Sequence, residues 1–145
     1  MKLTKTKLKQ IIREEIQNLN EGKTFTDAFE LPDDIDASAK GITSLEGAPE
    51  TVKGNFDCFD NKLTSLKGSP KTVGGHFTCS YNKLTSLKGA PTKVGGDFIC
   101  WDNKLTSLDG APKSVKGDFD CSRNPGKFTE EDVRKVCKVG GKIYV

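Results

Sequence analysis

Long apolar runs are missing from this chain. No stretch approaches the roughly 18 residues that a membrane span needs, and the N-terminus lacks the apolar core of a secretory signal peptide. A strong charge excess is missing too. The net charge is +3, so the total demands no nucleic-acid partner. Histidine, methionine and tryptophan each occur once. Cysteine occurs five times, an odd number, and without a secretion signal these are read as reduced thiols. The positive charge is uneven: residues 1–23 carry six basic side chains against three acidic ones, and the rest is close to neutral.

What the chain does have is repetition. From residue 40 onward one pattern recurs every 21 residues. The Asn column is Asn61, Asn82, Asn103 and Asn124. The Phe column is Phe56, Phe77, Phe98 and Phe119, and the Cys column is Cys58, Cys79, Cys100 and Cys121. Val52, Val73, Val94 and Val115 recur, as do Pro49, Pro70, Pro91 and Pro112. Two further apolar columns follow the Asn: Ile42, Leu63, Leu84, Leu105, and Leu45, Leu66, Leu87, Leu108. A unit this short cannot bury its own apolar face, so it must stack on its neighbours as a solenoid.

The period-two spacing of Phe and Cys puts both side chains on one face of a short strand. The two leucines bring the chain back under the sheet. Gly-x-Pro and Gly-Gly predict an irregular or polyproline-like return with no room for a helix. The pattern resembles the leucine-rich repeat, L-x-x-L-x-L-x-x-N-x-L, with Phe and Cys in place of strand leucines. Its short period is similar to the bacterial effector subtype of about 20 residues. The likeness covers about residues 31–145 and implies a parallel sheet of short strands with irregular returns.

Both ends are degenerate copies. Leu31, Ile35 and Ala37 precede Val52, Phe56 and Cys58 by one period, and Val139-Gly140-Gly141-Lys142-Ile143 repeats the Val-Gly-Gly-x-Phe stretch. Six parallel strands are expected, centred on Ile35, Phe56, Phe77, Phe98, Phe119 and Ile143. A helix is expected before the last, with Thr129 as N-cap, Asp132 at its third position, Phe128 and Val133 as a staple, and Val133, Val136 and Cys137 as its apolar stripe. Phe25 and Phe29 are expected to plug the other end. The fold class is therefore a repeat solenoid, leucine-rich-repeat-like, with an N-terminal helix over 1–22 and the solenoid over 23–145.

Four cysteines in register suggest a metal, but the outer two would stand about 14 Å apart by strand spacing, too far for one zinc ion. No metal and no cofactor is expected; the column reads as packing. The Asn column reads as backbone satisfaction, each amide bridging one rung to the next. His76, beside Phe77, points away from Cys79 and cannot form a dyad with it. Asp118 and Asp120 would lie about 6.5–7 Å apart along one strand face, the spacing of an inverting glycosidase pair. Nothing else supports a carbohydrate-acting hydrolase, and the chain is read as a non-enzyme.

The strand face differs from the structural columns because it does not repeat. Its positions include Phe59, His76, Tyr81, Asp97, Ile99, Trp101, Asp118 and Asp120. Aromatic anchors among polar groups compose a protein-binding patch, and the carboxylates argue against nucleic acid on this face.

In the leader, Leu8, Ile11, Ile12, Ile16 and Leu19 follow helical spacing. A lone helix of about 15 residues is marginal in water, so it is expected to order against the solenoid end, a second copy or a partner. Such Met-Lys-rich amphipathic leaders resemble those on small proteins of large tailed bacteriophages, where they end at a prohead-protease site of the form Leu/Ile-x-Glu. Leu19-Asn20-Glu21 followed by Gly22 fits that form, as does Ile12-Arg13-Glu14. The resemblance implies cleavage between Glu21 and Gly22 and a protein packaged in or attached to a virion, or acting on a host protein in the host cytoplasm. The alternative is a structural virion component docked through its helix. The sequence leaves the oligomeric state open.

Overall fold

The computed structural model describes residues 10–14 and 32–145. From residue 32 the chain winds as a parallel β-solenoid. Its elements are β1 Ile35–Asp36, β2 Thr51–Val52, β3 Phe56–Asp57, β4 Thr72–Val73, β5 Phe77–Thr78, β6 Lys93–Val94, β7 Phe98–Ile99, β8 Ser114–Val115, β9 Phe119–Asp120, α1 Glu130–Val136, β10 Lys138–Val139 and β11 Ile143–Tyr144. The odd-numbered strands form a six-stranded sheet in the order β1-β3-β5-β7-β9-β11, as the Phe and Cys columns predict. The even-numbered strands form a second, five-stranded sheet in the order β10-β8-β6-β4-β2.

This second sheet is the main addition to the sequence reading. The return after Gly-x-Pro straightens at the Val column, where Thr72 pairs with Lys93 and Val73 with Val94. Each such strand is only two residues long, exposed then buried, so no alternation could reveal it. The register is 21 residues throughout until the last turn. There Phe119 pairs with Ile143 and Ser114 with Lys138, a step of 24. Helix α1 is therefore accommodated within one turn by three extra residues.

The core lies between the sheets. Phe56, Phe77, Phe98 and Phe119 are fully buried and stack along the solenoid axis. The first two steps of that stack have centroids 5.5 Å apart with planes within 7°. The Cys column and both leucine columns fill the rest; each such side chain removed from water contributes about 1.5–3 kcal/mol for a Leu or Phe. At the N-terminal end Ala37 and Ile35 take the places of Cys and Phe. Leu31, Phe25 and Phe29 lie outside the described residues. Residues 10–14 are helical; Ile12 is buried in the core cluster and Ile11 packs against it.

Helix α1 starts as predicted. The Thr129 hydroxyl accepts from the Asp132 amide and the Asp132 carboxylate accepts from the Thr129 amide, a complete capping box. Val133 and Cys137 face inward, but Val136 is 45 % exposed and does not belong to the apolar stripe. The helix has only seven residues and Cys137 is already extended, which leaves Val136 on the outer side of the last turn.

Where each turn leaves the first sheet, one residue is left-handed: Ala39, Asp60, Tyr81, Asp102 and Arg123 all have φ between 50° and 54°. The Asn that follows locks this bend. Asn82 donates Nδ2–H to the carbonyls of Cys58, Cys79 and Ser80, and its Oδ1 accepts from the Leu63 amide. One side chain thus ties its own turn to the preceding one, which is the bridging role read from the sequence. Asn61, Asn103 and Asn124 repeat the arrangement.

Candidate protein-binding face

The outer face of the six-stranded sheet carries all eight candidate residues, sorted by column. The column preceding each strand is Asp34, Asn55, His76, Asp97, Asp118. Its members form a continuous acceptor ladder. Asp34 Oδ1 accepts from the Asn55 amide at 2.6 Å, and Asn55 Oδ1 from the His76 amide at 2.8 Å. His76 Nδ1 accepts from the Asp97 amide at 3.0 Å, Asp97 Oδ1 from the Asp118 amide at 2.7 Å, and Asp118 Oδ1 from the Lys142 amide at 2.7 Å. His76, Asp97 and Asp118 therefore serve the backbone of the next turn. The sequence reading missed this ladder.

His76 Nδ1 also lies 3.1 Å from Asp97 Oδ2.

In the next outward column, Asp36, Asp57, Thr78, Ile99, Asp120, the three carboxylates cap the bend that follows. Asp57 Oδ1 accepts from the Phe59 amide, and Asp120 Oδ1 from the Ser122 amide and hydroxyl. Burial pushes the Asp57 carboxyl up, opposed by the Phe59 amide and aided by the nearby Asp36 charge. The Ser38 hydroxyl holds Asp36 down. Asp118 and Asp120 are both half-buried, and each carboxylate is engaged by backbone amides rather than aimed at a shared point.

Large side chains are brought together in the third column and the left-handed column. Phe59 and Trp101 are two turns apart, with the small Ser80 between them. The ring of Tyr81 fills that gap, 5.2 Å from Phe59 and 4.7 Å from Trp101, edge to face with both. Ser80 is fully buried, and its hydroxyl has no hydrogen-bond partner among the described residues. The Arg123 guanidinium stands 5.3 Å over the Trp101 ring. Tyr81 remains 41 % exposed. Ile99 is half-buried on the same sheet face.

The cysteines are free and buried. Burial pushes the thiols of Cys58, Cys79 and Cys100 well up, that of Cys121 to about 12 and that of Cys137 to about 11. Among the described residues no His, Cys, Asp or Glu cluster is arranged to hold a metal ion. An open recess of about 340 Å³ beside the end of α1, lined by Arg134–Val139, includes none of the candidate residues. Among the described residues no helix is long and apolar enough to cross a membrane. Of the leader's candidates, Ile11 and Ile12 are described above; Leu8, Ile16, Leu19, Glu21 and Gly22 lie outside the described residues.

Fold and face together define the chain as a parallel β-solenoid of 21-residue repeats with one ordered, non-repeating outer face. Comparison with family models, with curated proteins and with solved structures finds no match to this chain.

Proposed function

We propose that this chain is a non-enzymatic binding module that captures a protein on the outer face of the six-stranded sheet. The observation that supports it best is the Phe59–Tyr81–Trp101 cluster with Arg123, standing outside the core on a backbone held rigid by the Asn and acceptor ladders. Pre-ordered aromatic and arginine side chains lose little freedom on binding, which is the chemistry of interface anchors. The leucine columns and the Asn ladder favour a leucine-rich-repeat relationship within this reading. The leader's likeness to phage packaging leaders favours a partner in the virion or the infected host.

Two experiments test the reading. Capture with the full chain, compared with Tyr81→Ala/Trp101→Ala, should lose its partner while the melting temperature stays within a few degrees. Undiminished capture would move the site elsewhere. Intact-mass measurement of the native protein tests the virion component: a mature N-terminus at Gly22 supports a removable packaging leader, and retention of the leader counts against it.

A further inference from the structure

Three lysines at the start of the return segments have no structural work of the kind that occupies the carboxylates. Asp97, Asp118, Asp57 and Asp120 all hold backbone amides. Lys62, Lys83 and Lys104, by contrast, are exposed and form no ion pair with any described residue. They are stacked in strict register, because the Lys83 amide bonds the Leu63 carbonyl at 2.8 Å and the Lys104 amide bonds the Leu84 carbonyl at 2.9 Å. Lys67 and Lys88 extend the same exposed stretch one segment further, between the exposed Glu46 and Asp109 of their column. Five ammonium groups thus occupy three turns, over about 10 Å along the axis at about 4.8 Å per turn. Like charges directly opposite one another are destabilising.

The fold can compensate a lysine column, since later in the return Glu50 pairs with Lys71 across a turn at 2.8 Å. The Lys62–Lys83–Lys104 column receives no such partner. Two residues after each lysine stands an exposed threonine, Thr64, Thr85 and Thr106, so the stretch is rich in hydrogen-bond donors. It carries no aromatic ring on which a base could stack.

We propose that this lysine face binds the phosphodiester backbone of duplex nucleic acid, independently of sequence. Duplex phosphates supply a dense line of acceptors, about one charge per 1.7 Å of axis. Lysine and threonine are backbone-positioning contacts, and the absence of stacking rings favours a duplex over a single strand. The lysines follow directly on the aromatic cluster, Lys83 after Tyr81 and Lys104 after Trp101, so a bound duplex would adjoin the protein-binding face.

The test is fluorescence anisotropy of the full chain with a labelled duplex of about 20 base pairs, from about 50 to 200 mM salt. Binding should weaken with salt with a log–log slope near −4, from about 0.9 per neutralised phosphate. The variant Lys62→Gln/Lys83→Gln/Lys104→Gln should fold normally by circular dichroism and flatten that slope by about 3. The charge-matched variant Lys53→Gln/Lys93→Gln/Lys138→Gln, on and beside the second sheet, should leave it nearly unchanged. Absence of binding at the lowest salt would overturn the proposal. So would equal losses in both triple variants, which would report net charge alone. Loss caused only by Lys5→Gln/Lys7→Gln/Lys9→Gln would overturn it by moving the site to the leader. Polyglutamate that displaces the duplex as well as unlabelled duplex does would show a generic polyanion surface and overturn the phosphate assignment.

Discussion

The carboxylate of Asp97 occupies the space in which Gly117 would carry a side chain. From there its Oδ1 reaches the Asp118 amide at 2.7 Å. The same relation joins Asn55 to Gly75 and Asp118 to Gly141. Each turn thus leaves an empty position for the acceptor of the turn before it. Gly117→Ala should cost about 2–3 kcal/mol, the value of a hydrogen bond to a charged acceptor with its displacement. Urea melts of Gly117→Ala, Asp97→Ala and the double variant check this. The two losses should fall short of additivity by at least about 1 kcal/mol, because both break one contact. Full additivity would mean the two residues do not share it.

Asn103 donates to the carbonyls of Cys79 and Cys100 and accepts from the Leu84 amide, all in the interior. Asn103→Ala should cost about 3–4 kcal/mol, since several buried groups lose their partner at about 1–3 kcal/mol each. Asn103→Asp should be no milder at neutral pH, because an oxygen would replace Nδ2 opposite those carbonyls. Asn124, half-buried, should tolerate the same changes better. Equal melting temperatures for wild type and Asn103→Asp would contradict the bridge.

The Asp57 carboxyl is raised by burial, so the folded state prefers it protonated. Its folded value lies above its unfolded one. The contribution is therefore favourable at low pH and is lost as pH rises through the folded value. Asp57→Asn keeps an oxygen for the Phe59 amide and removes the charge. It should stabilise the protein at neutral pH by a few tenths of a kcal/mol, after allowance for solvent screening of a half-exposed group. The gain should vanish once the wild-type carboxyl is protonated. A gain that grows towards low pH would show the wrong sign.

Cys58, Cys79 and Cys100 are fully buried with thiols held far from ionisation. A thiol reagent at neutral pH should find almost no reactive group in the native protein, and all five cysteines once it is unfolded. Fast native labelling would place the column outside the core.

Gly89 has φ +91°, and a methyl there would meet the Lys67 amide nitrogen at 2.5 Å. Gly41 has φ +66° with open space around it. Ala at position 41 should cost only the left-handed penalty of about 1–2 kcal/mol. Ala at position 89 should cost distinctly more, as thermal melts of the two variants will show.

The periodic part of the molecule was legible because identical residues at fixed spacing can only mean identical environments. The Phe, Cys and Leu columns announced their burial, the Asn column its bridging of turns, and Thr129-x-x-Asp132 a helix start. The second sheet was not legible, since two-residue strands such as Thr72–Val73 leave no period to detect. The acceptor ladder was hidden for another reason. Asn55, His76 and Asp97 look unrelated by residue type, yet each presents a lone pair at the same height. A column can be chemically constant while its letters vary. The packing of Tyr81 over Ser80 was equally unreadable, because it depends on a left-handed backbone at Tyr81 that no side-chain pattern signals.

Residues aligned between neighbouring turns are 21 apart in all but the last turn. Length is therefore quantised. Inserting or deleting one whole period would re-create every Asn bridge and every Gly clearance, much as a crystal gains or loses a layer. A single-residue insertion would throw the bridges on one side out of phase with those on the other. Helix α1 is the exception, a place where three extra residues are absorbed without a fault in either sheet. This chain can lengthen by copying, and the aromatic face, which does not repeat, is where the copies are free to diverge.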